Sequence, residues 1–199
     1  MNYTIIEDCS PYYIRFRFDG IENFIEQFSP SVLNYDEILN AHMFAHHKLS
    51  LEDGIKAIDQ LPFAHQLPIS HSRVSLFIST PGYVYRPHKD GLDLRCGINF
   101  NVYVVDDHCP TQWYSDEDLK MYPIDHTSKR SREVIGFKRG LHTPVKTMTA
   151  VQGECILFNT EIFHDWDNRK SKNNRALLTL RFTDNTLYYE NARKILFGY

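Results

Sequence analysis

Hydrophobic and polar side chains alternate in several short segments of the chain, and a period of two is typical of half-buried β-strands. The first such segment spans residues 12–18 and ends at the turn residues Asp19 and Gly20. The period returns after residue 70, where Gly and Pro residues separate the segments as turn signals. In this second half the predicted strands are residues 73–80, 83–86, 94–105, 133–138, 145–151, 154–158 and 175–182.

A helical spacing covers the region between the first strand and about residue 60. Its clearest part has hydrophobic residues at positions 21, 24, 25 and 28, which lie on one face of a helix. A second run, from Ile38 to Leu49, follows a Ser-Pro-Ser break and is also predicted to be helical. Near the C-terminus, the amphipathic segment 187–197 predicts one more helix.

Together these elements predict a mostly β fold with flanking helices. Roughly seven or eight short strands are expected to form a jelly roll or barrel that closes around a cavity. Because 199 residues is within the usual range for one domain, we expect a single domain over residues 1–199. Its expected parts are an N-terminal strand and helices (1–69), a β core (70–185) with a polar insertion at about 106–132, and a C-terminal helix (186–199).

Composition and charge narrow the class of protein. The net charge of −3 gives no basic field that would attract nucleic acid. The four cysteines form no CxxC pair, and no apolar run approaches the roughly 18 residues that a membrane-spanning helix needs. We therefore expect a cytoplasmic protein with free thiols and with neither a nucleic-acid nor a membrane partner. The sequence does not indicate an oligomeric state.

The candidate chemistry lies in two stretches that contain histidine. In YRPHKDGLDLRC, His88 and Asp90 are two positions apart, so in a strand both side chains would point to one face. In GECILFNTEIFHDWDN, His164 follows a predicted buried strand. Two imidazoles and one carboxylate can occupy one face of an octahedral iron(II) and leave three positions open, as in non-haem iron oxygenases.

An arginine follows the second histidine. Arg175 lies eleven positions after His164, at the start of the predicted strand RALLTLRF. Its planar guanidinium suits the distal carboxylate of a dicarboxylic acid, because it can donate two parallel hydrogen bonds. Arg181 is six positions farther along and would share the same face of a regular strand. Alternation leaves the choice between the two open, and the position relative to His164 favours Arg175.

In this order, the HxD pair at 88–90, His164 and Arg175 resemble the Fe(II)/2-oxoglutarate-dependent dioxygenase superfamily, with its double-stranded β-helix (cupin-like jelly roll) core. The resemblance covers roughly residues 70–185 and is closest to prolyl-hydroxylase-like or aspartyl/asparaginyl-hydroxylase-like members. Two features depart from the family. Leu177 replaces the usual hydroxyl-bearing residue two positions after the arginine, and 76 positions separate the two histidines.

The resemblance implies an enzyme that hydroxylates an unactivated C–H bond, for which we expect a small molecule, an amino acid or a peptidyl side chain as substrate. It implies Fe(2+) bound by His88, Asp90 and His164. It also implies 2-oxoglutarate, with its C5 carboxylate bound by Arg175, O2 as second co-substrate and ascorbate as supporting reductant. Residues expected to contact 2-oxoglutarate or support the ligands are Tyr85, Asn99 and Thr179. Residues expected to contact substrate are Arg95, Asn101, Trp113 and Tyr114.

Two other classes of protein stay open. A cupin-type isomerase or hydrolase could use the same triad for another metal, without a 2-oxoglutarate site. A non-catalytic module could use the cavity for a ligand or a protein partner. The motif HMFAHH places His42 and His46 on one face of a predicted helix, but no HExxH frame accompanies it.

Overall fold

Two antiparallel sheets face each other in the computed structural model of the chain, which describes residues 3–91, 94–126 and 131–199. In the described residues the larger sheet has the order β1-β2-β11-β6-β13-β4-β3 and the smaller sheet the order β10-β7-β12-β5-β9-β8. The strands are β1 (Thr4–Cys9), β2 (Tyr13–Arg17), β3 (Phe44–Lys48), β4 (Ile69–Ser79), β5 (His88–Asp90), β6 (Cys96–Tyr103), β7 (Thr111–Trp113), β8 (Ile124–Asp125), β9 (Ser131–Val134), β10 (Lys146–Met148), β11 (Cys155–Asn159), β12 (His164–Trp166) and β13 (Arg175–Phe182).

The central strands alternate between the two sheets along the chain. Strands β4, β6, β11 and β13 belong to the larger sheet, whereas β5, β7, β10 and β12 belong to the smaller one. This alternation is the double-stranded β-helix that the sequence predicted, and the fold class is confirmed. The helices are α1 (Ile21–Glu26), α2 (Tyr35–Leu39), α3 (Leu51–Asp59), α4 (Asp116–Leu119) and α5 (Tyr189–Phe197).

Side-chain alternation in the larger sheet separates the hydrophobic core from the cavity. On β13, Ala176, Leu178 and Leu180 are fully buried in a hydrophobic cluster that also contains residues of α1, α3 and α5. The alternate residues of that strand line the cavity between the sheets. The larger sheet is therefore a scaffold that packs against helices on one face and presents polar side chains on the other.

The second helical prediction is wrong over most of its length. The helix α2 ends at Leu39, and the next two residues, Asn40 and Ala41, have positive φ, a conformation that a helix cannot continue through. The chain then forms β3, which pairs with β4 at the edge of the larger sheet. His42 and His46 consequently do not share a helix face.

Two predictions in the second half also need correction. Residues 83–86 form no strand in the described structure, apart from a single bridge between Val84 and Asp167. The predicted insertion begins later than residue 106, because β7 lies inside that segment and pairs with β10 and β12. Residues 127–130 of that insertion lie outside the described residues. No helix among the described residues is long and apolar enough to cross a membrane.

Candidate metal centre

The predicted triad comes together at the smaller sheet. His88 and Asp90 lie on β5, and His164 lies on β12 directly opposite His88 in the antiparallel register. Each residue offers one ligand atom, and these atoms all lie within 4.8 Å of one another. All three side chains are buried. The arrangement has the size and the donor types of a mononuclear metal site.

Backbone hydrogen bonds orient both imidazole rings. The Nδ1 atom of His88 lies 2.9 Å from the carbonyl oxygen of Arg86, and that of His164 lies 2.8 Å from the carbonyl oxygen of Ile162. Because a carbonyl oxygen only accepts, each Nδ1 donates its hydrogen, and each Nε2 keeps a free lone pair. Such outer hydrogen bonds are typical of metal-binding histidines.

Burial keeps the two imidazoles neutral. It lowers the pKa of His88, although Asp90 acts in the opposite direction. Burial, together with the nearby His88, lowers the pKa of His164 to about 3. Neutral imidazole is the form that binds a metal ion, so both histidines are in the binding form at neutral pH.

Arg181 supports the carboxylate of the triad. Its Nη2 atom lies 2.9 Å from Oδ2 of Asp90, while Oδ1 of Asp90 lies 3.7 Å from Nε2 of His88. Gly97 on β6 makes room for this arginine, because a Cβ at that position would collide with Arg181 Nη1. The sequence placed Arg181 on the correct face and left its role open. In the structure it contacts a triad residue.

Arg175 is the first residue of β13 and lies on the same cavity-facing side of that strand as Arg181. It is almost fully buried and donates from Nη2 to the hydroxyl of Thr111 at 3.1 Å. Its Nη1 atom lies 3.5 Å from the sulfur of Cys109, and its Nε has no hydrogen-bond partner in the described structure. Among the residues that the structure describes, no carboxylate forms an ion pair with this buried guanidinium, and one of its donors is unsatisfied, so it is suited to an anionic ligand.

The triad and both arginines line one cavity between the sheets. Its volume is about 870 Å³, and it also includes the predicted residues Tyr85, Asn99 and Thr179. The Tyr85 ring meets the edge of His88, with centroids 4.6 Å apart, and stacks on Trp166 at 4.5 Å. Trp166 was missed in the sequence, although it is two positions after His164 and therefore shares its face.

The four predicted substrate contacts do not line this cavity in the described structure. Trp113 is fully buried and stacks on Tyr13, with ring centroids 4.9 Å apart. Trp113 therefore packs inside the protein against β2 and does not reach the cavity. Tyr114 is buried as well and donates to Asp165 at 3.0 Å.

The other two predicted substrate contacts, Arg95 and Asn101, have different surroundings outside the cavity lining. Arg95 forms an ion pair with Glu161 at 2.6 Å. Asn101 is fully buried, and neither polar atom of its side chain has a hydrogen-bond partner in the described structure.

A network that the sequence did not reveal lies behind the ligand strands. Asp165 alternates with His164 and points away from the cavity, where its Oδ2 lies 2.5 Å from Nη2 of Arg139. The same Nη2 donates to the backbone carbonyl of Tyr85 at 3.0 Å. Burial raises the pKa of Asp165 to about 6, against the opposing effect of Arg139. Arg139, which follows β9, thus connects the segments that carry the two histidines.

Comparison with known proteins supports the fold assignment. No family model and no curated protein matches the chain. Among solved structures, the epimerase SnoN in complex with Fe3+, alpha-ketoglutarate and nogalamycin RO matches with a TM-score of 0.54 and 11% identity, covering 86% of this chain and 78% of that chain. HygX from Streptomyces hygroscopicus, with nickel and 2-oxoglutarate bound, matches with a TM-score of 0.55 and 9% identity, covering 89% of this chain and 84% of that chain.

A Pseudomonas putida prolyl-4-hydroxylase matches with a TM-score of 0.53 and 12% identity, covering 90% of this chain and 97% of that chain. At these identities the likeness concerns the fold. The chain has the cupin-like fold of Fe(II)/2-oxoglutarate-dependent oxygenases.

Proposed function

We propose that the protein is an Fe(II)- and 2-oxoglutarate-dependent oxygenase. In this proposal His88, Asp90 and His164 bind the iron, and Arg175 binds the C5 carboxylate of 2-oxoglutarate. The observation that carries the proposal is that one cavity of this fold holds both the triad and a buried arginine with an unsatisfied donor.

The residues present fit an iron(II) ion. Two neutral imidazoles with free Nε2 atoms and one carboxylate form the donor set that leaves positions open for further ligands. Arg181 holds the Asp90 carboxylate, and the backbone carbonyls fix the ring orientations. When bound, iron and 2-oxoglutarate would supply the oxidising chemistry with O2, and ascorbate would keep the metal reduced.

The residues also fit 2-oxoglutarate. A carboxylate next to Arg175 would satisfy its Nε and could accept from the hydroxyl of Thr111, which already contacts the same guanidinium. Thr179 and Asn99 lie side by side on the cavity face, paired in register between β13 and β6. The side-chain oxygen of Asn99 has no hydrogen-bond partner in the described structure, and the amide nitrogen of the same side chain could donate to the co-substrate, whose oxygen atoms only accept.

For the reaction we propose hydroxylation of an unactivated C–H bond in an amino acid or a peptidyl side chain. The similar structures include both a prolyl-4-hydroxylase and an epimerase, so the fold serves more than one outcome. Product analysis separates the two. Hydroxylation adds one oxygen atom to the substrate, whereas inversion of a stereocentre leaves its mass unchanged.

The test measures slow turnover of the co-substrate. Purified protein with Fe(II), ascorbate and 2-oxoglutarate should release succinate and CO2 even without substrate. The changes His88→Ala, Asp90→Ala and His164→Ala should abolish this release, because each removes a metal ligand. His65→Ala is the matched control, because His65 is exposed in a loop away from the cavity. Equal succinate release by the wild type and the three ligand variants would refute the metal assignment.

A further inference from the structure

The cavity continues beyond the triad to the edge of the larger sheet. Its lining reaches β3, where Lys48 and His46 are exposed at the opening. Lys48 pairs in register with Ser75 on β4, and Ser75 pairs with Thr179 on β13. A row of inward-facing positions therefore leads from the solvent to the centre of the cavity.

The two walls of the cavity differ in charge. Among the described lining residues, the wall formed by the larger sheet carries Lys48, Arg73, Arg175 and Arg181 and no carboxylate. The carboxylates of the lining belong to the smaller sheet. This concentration of positive charge occurs in a chain whose net charge is −3. The four cations on this wall are therefore not a consequence of an overall positive charge of the protein.

The proposed function accounts for two of the four cations. Arg175 is assigned to the co-substrate, and Arg181 pairs with Asp90. Lys48 and Arg73 have no role in that mechanism. Both line the cavity and lie near Ser75 in the sheet. Lys48 is directly opposite Ser75, and Arg73 is two positions from Ser75 on the same face of β4, where its Nη1 atom lies 3.5 Å from the carbonyl oxygen of Phe182.

Flat apolar surfaces lie next to these cations. Phe77 on β4 stacks with His46 at a centroid distance of 4.5 Å and an interplanar angle of 3°. Across the cavity, Tyr85 and Trp166 stack on each other beside the triad. This part of the cavity therefore combines aromatic walls with cationic side chains at the opening.

We propose that this outer half of the cavity binds a substrate that carries an anionic oxygen group, a carboxylate or a phosphate, next to a flat apolar moiety. Lys48 and Arg73 bind the anionic group, and the aromatic walls hold the moiety that faces the triad. Lysine and arginine both bind carboxylates and phosphates, so the charge is the shared feature. The inference rests on the proposed function, because it assigns the inner half to 2-oxoglutarate.

The experiment measures binding of three probes by calorimetry. They are 3-phenylpropanoate, 2-phenylethyl phosphate and the uncharged 3-phenylpropanamide. The protein is loaded with Zn²⁺ in place of iron and saturated with N-oxalylglycine, an unreactive analogue of 2-oxoglutarate, so that Arg175 is occupied. At least one anionic probe should bind about tenfold or more tightly than the amide, and higher ionic strength should weaken that preference.

Variants assign the effect to the opening. Lys48→Met keeps the length of the side chain but removes its charge, and it should reduce anion affinity about tenfold without changing affinity for the amide. Lys48→Arg should retain the preference for anions. Lys56→Met is the matched control, since Lys56 is exposed on α3, pairs with Glu52 and does not line the cavity.

The outcomes separate the two proposals. If the wild type fails to bind N-oxalylglycine, the proposed function fails. If it binds N-oxalylglycine but neither anion binds better than the amide, only the present inference fails. An unchanged anion affinity in Lys48→Met would also overturn it. In that case Lys48 would act as a charge that protects the edge strand β3 from pairing with other chains.

Discussion

The two sheets of this protein are held together in different ways. In the larger sheet, β4 has 11 residues and pairs with β13 at seven positions in register. In the smaller sheet, the ligand-bearing strands β5 and β12 have three residues each and share a single register pair, His88 with His164. The larger sheet depends on backbone pairing and hydrophobic packing. The smaller sheet depends on individual side chains such as Arg139.

This difference separates the scaffold from the site. Substitutions in the larger sheet's core should change the free energy of unfolding and leave the chemistry of the folded molecules unchanged. Substitutions behind the smaller sheet should change metal binding as well. The following variants test that contrast.

The largest effect on stability is expected in the core of the larger sheet. Leu178→Ala removes a fully buried side chain and should lower the free energy of unfolding by about 2–5 kcal/mol. Urea unfolding measures the loss, and succinate release per folded molecule should stay near the wild-type value. Leu51→Ala is the control, because Leu51 is 59% exposed and its loss should cost little. A large fall in turnover per folded molecule would contradict the separation of scaffold and site.

The next effect is expected behind the ligand strands. Arg139→Met leaves the fully buried Asp165 carboxylate without its cation, which should cost about 3 kcal/mol of stability. It also removes the link to the Tyr85 carbonyl, so metal affinity should fall in molecules that remain folded. Metal titration and the electronic spectrum of a Co²⁺-substituted protein measure this change.

A second variant distinguishes positioning from simple stability. The double change Arg139→Met with Asp165→Asn removes both charges, and it should recover part of the stability without restoring the metal affinity. If the spectrum of the Co²⁺ protein is the same in the wild type and in Arg139→Met, the network does not position the ligands.

A smaller effect is expected at Arg175, which lies on the cavity face of the larger sheet. Arg175→Ala should weaken 2-oxoglutarate binding by about 1.5–3 kcal/mol, the usual contribution of a hydrogen-bonded charged pair. Arg175→Lys should recover only part of the affinity, because lysine lacks the planar fork. Calorimetric titration of the metal-loaded protein with 2-oxoglutarate checks both variants, and metal affinity should not change in either.

The smallest expected effect is a pH dependence at the outer edge of the larger sheet. Burial alone would raise the pKa of Glu7, but hydrogen bonds from Cys9, Arg15 and Tyr13 lower it from 4.5 to about 2. The folded state therefore favours the ionised carboxylate. Its contribution is fully present above about pH 4.5 and is lost as the pH falls toward 2. Glu7→Gln should flatten the acid limb of a stability-versus-pH curve, and an unchanged limb would refute this role.

The difference between the long strands of the larger sheet and the short strands of the smaller sheet also explains which elements could be predicted from the sequence. The strand 175–182 was predicted with its observed bounds, because hydrophobic residues recur at every second position from Ala176 to Phe182. The short strands β5, β7 and β12 gave no usable period, although two of them carry the triad. The triad was predicted from the chemistry of the residues and their order along the chain.

Side-chain contacts between residues far apart in the chain could not be predicted from the sequence pattern. The role of Arg181 beside Asp90 and that of Arg139 behind Asp165 depend on which strands become neighbours across the fold. The second helix was mispredicted for a local reason. Residues 38–49 have hydrophobic positions compatible with either period, and the positive φ angles at Asn40 and Ala41 decide against a helix.

The position of β9 has a consequence for how the lining of the cavity could diversify. This strand follows β7 in the chain and extends the smaller sheet beside β5, so Ser131 and Glu133 face the cavity without belonging to the triad. A different peptide grafted between residues 116 and 136 would bring a new set of side chains to that wall, while the triad stays on β5 and β12 and Arg139 keeps its contacts with Asp165 and the Tyr85 carbonyl. Natural or laboratory evolution could thus change the ligand that the cavity accepts by exchanging one segment of the chain.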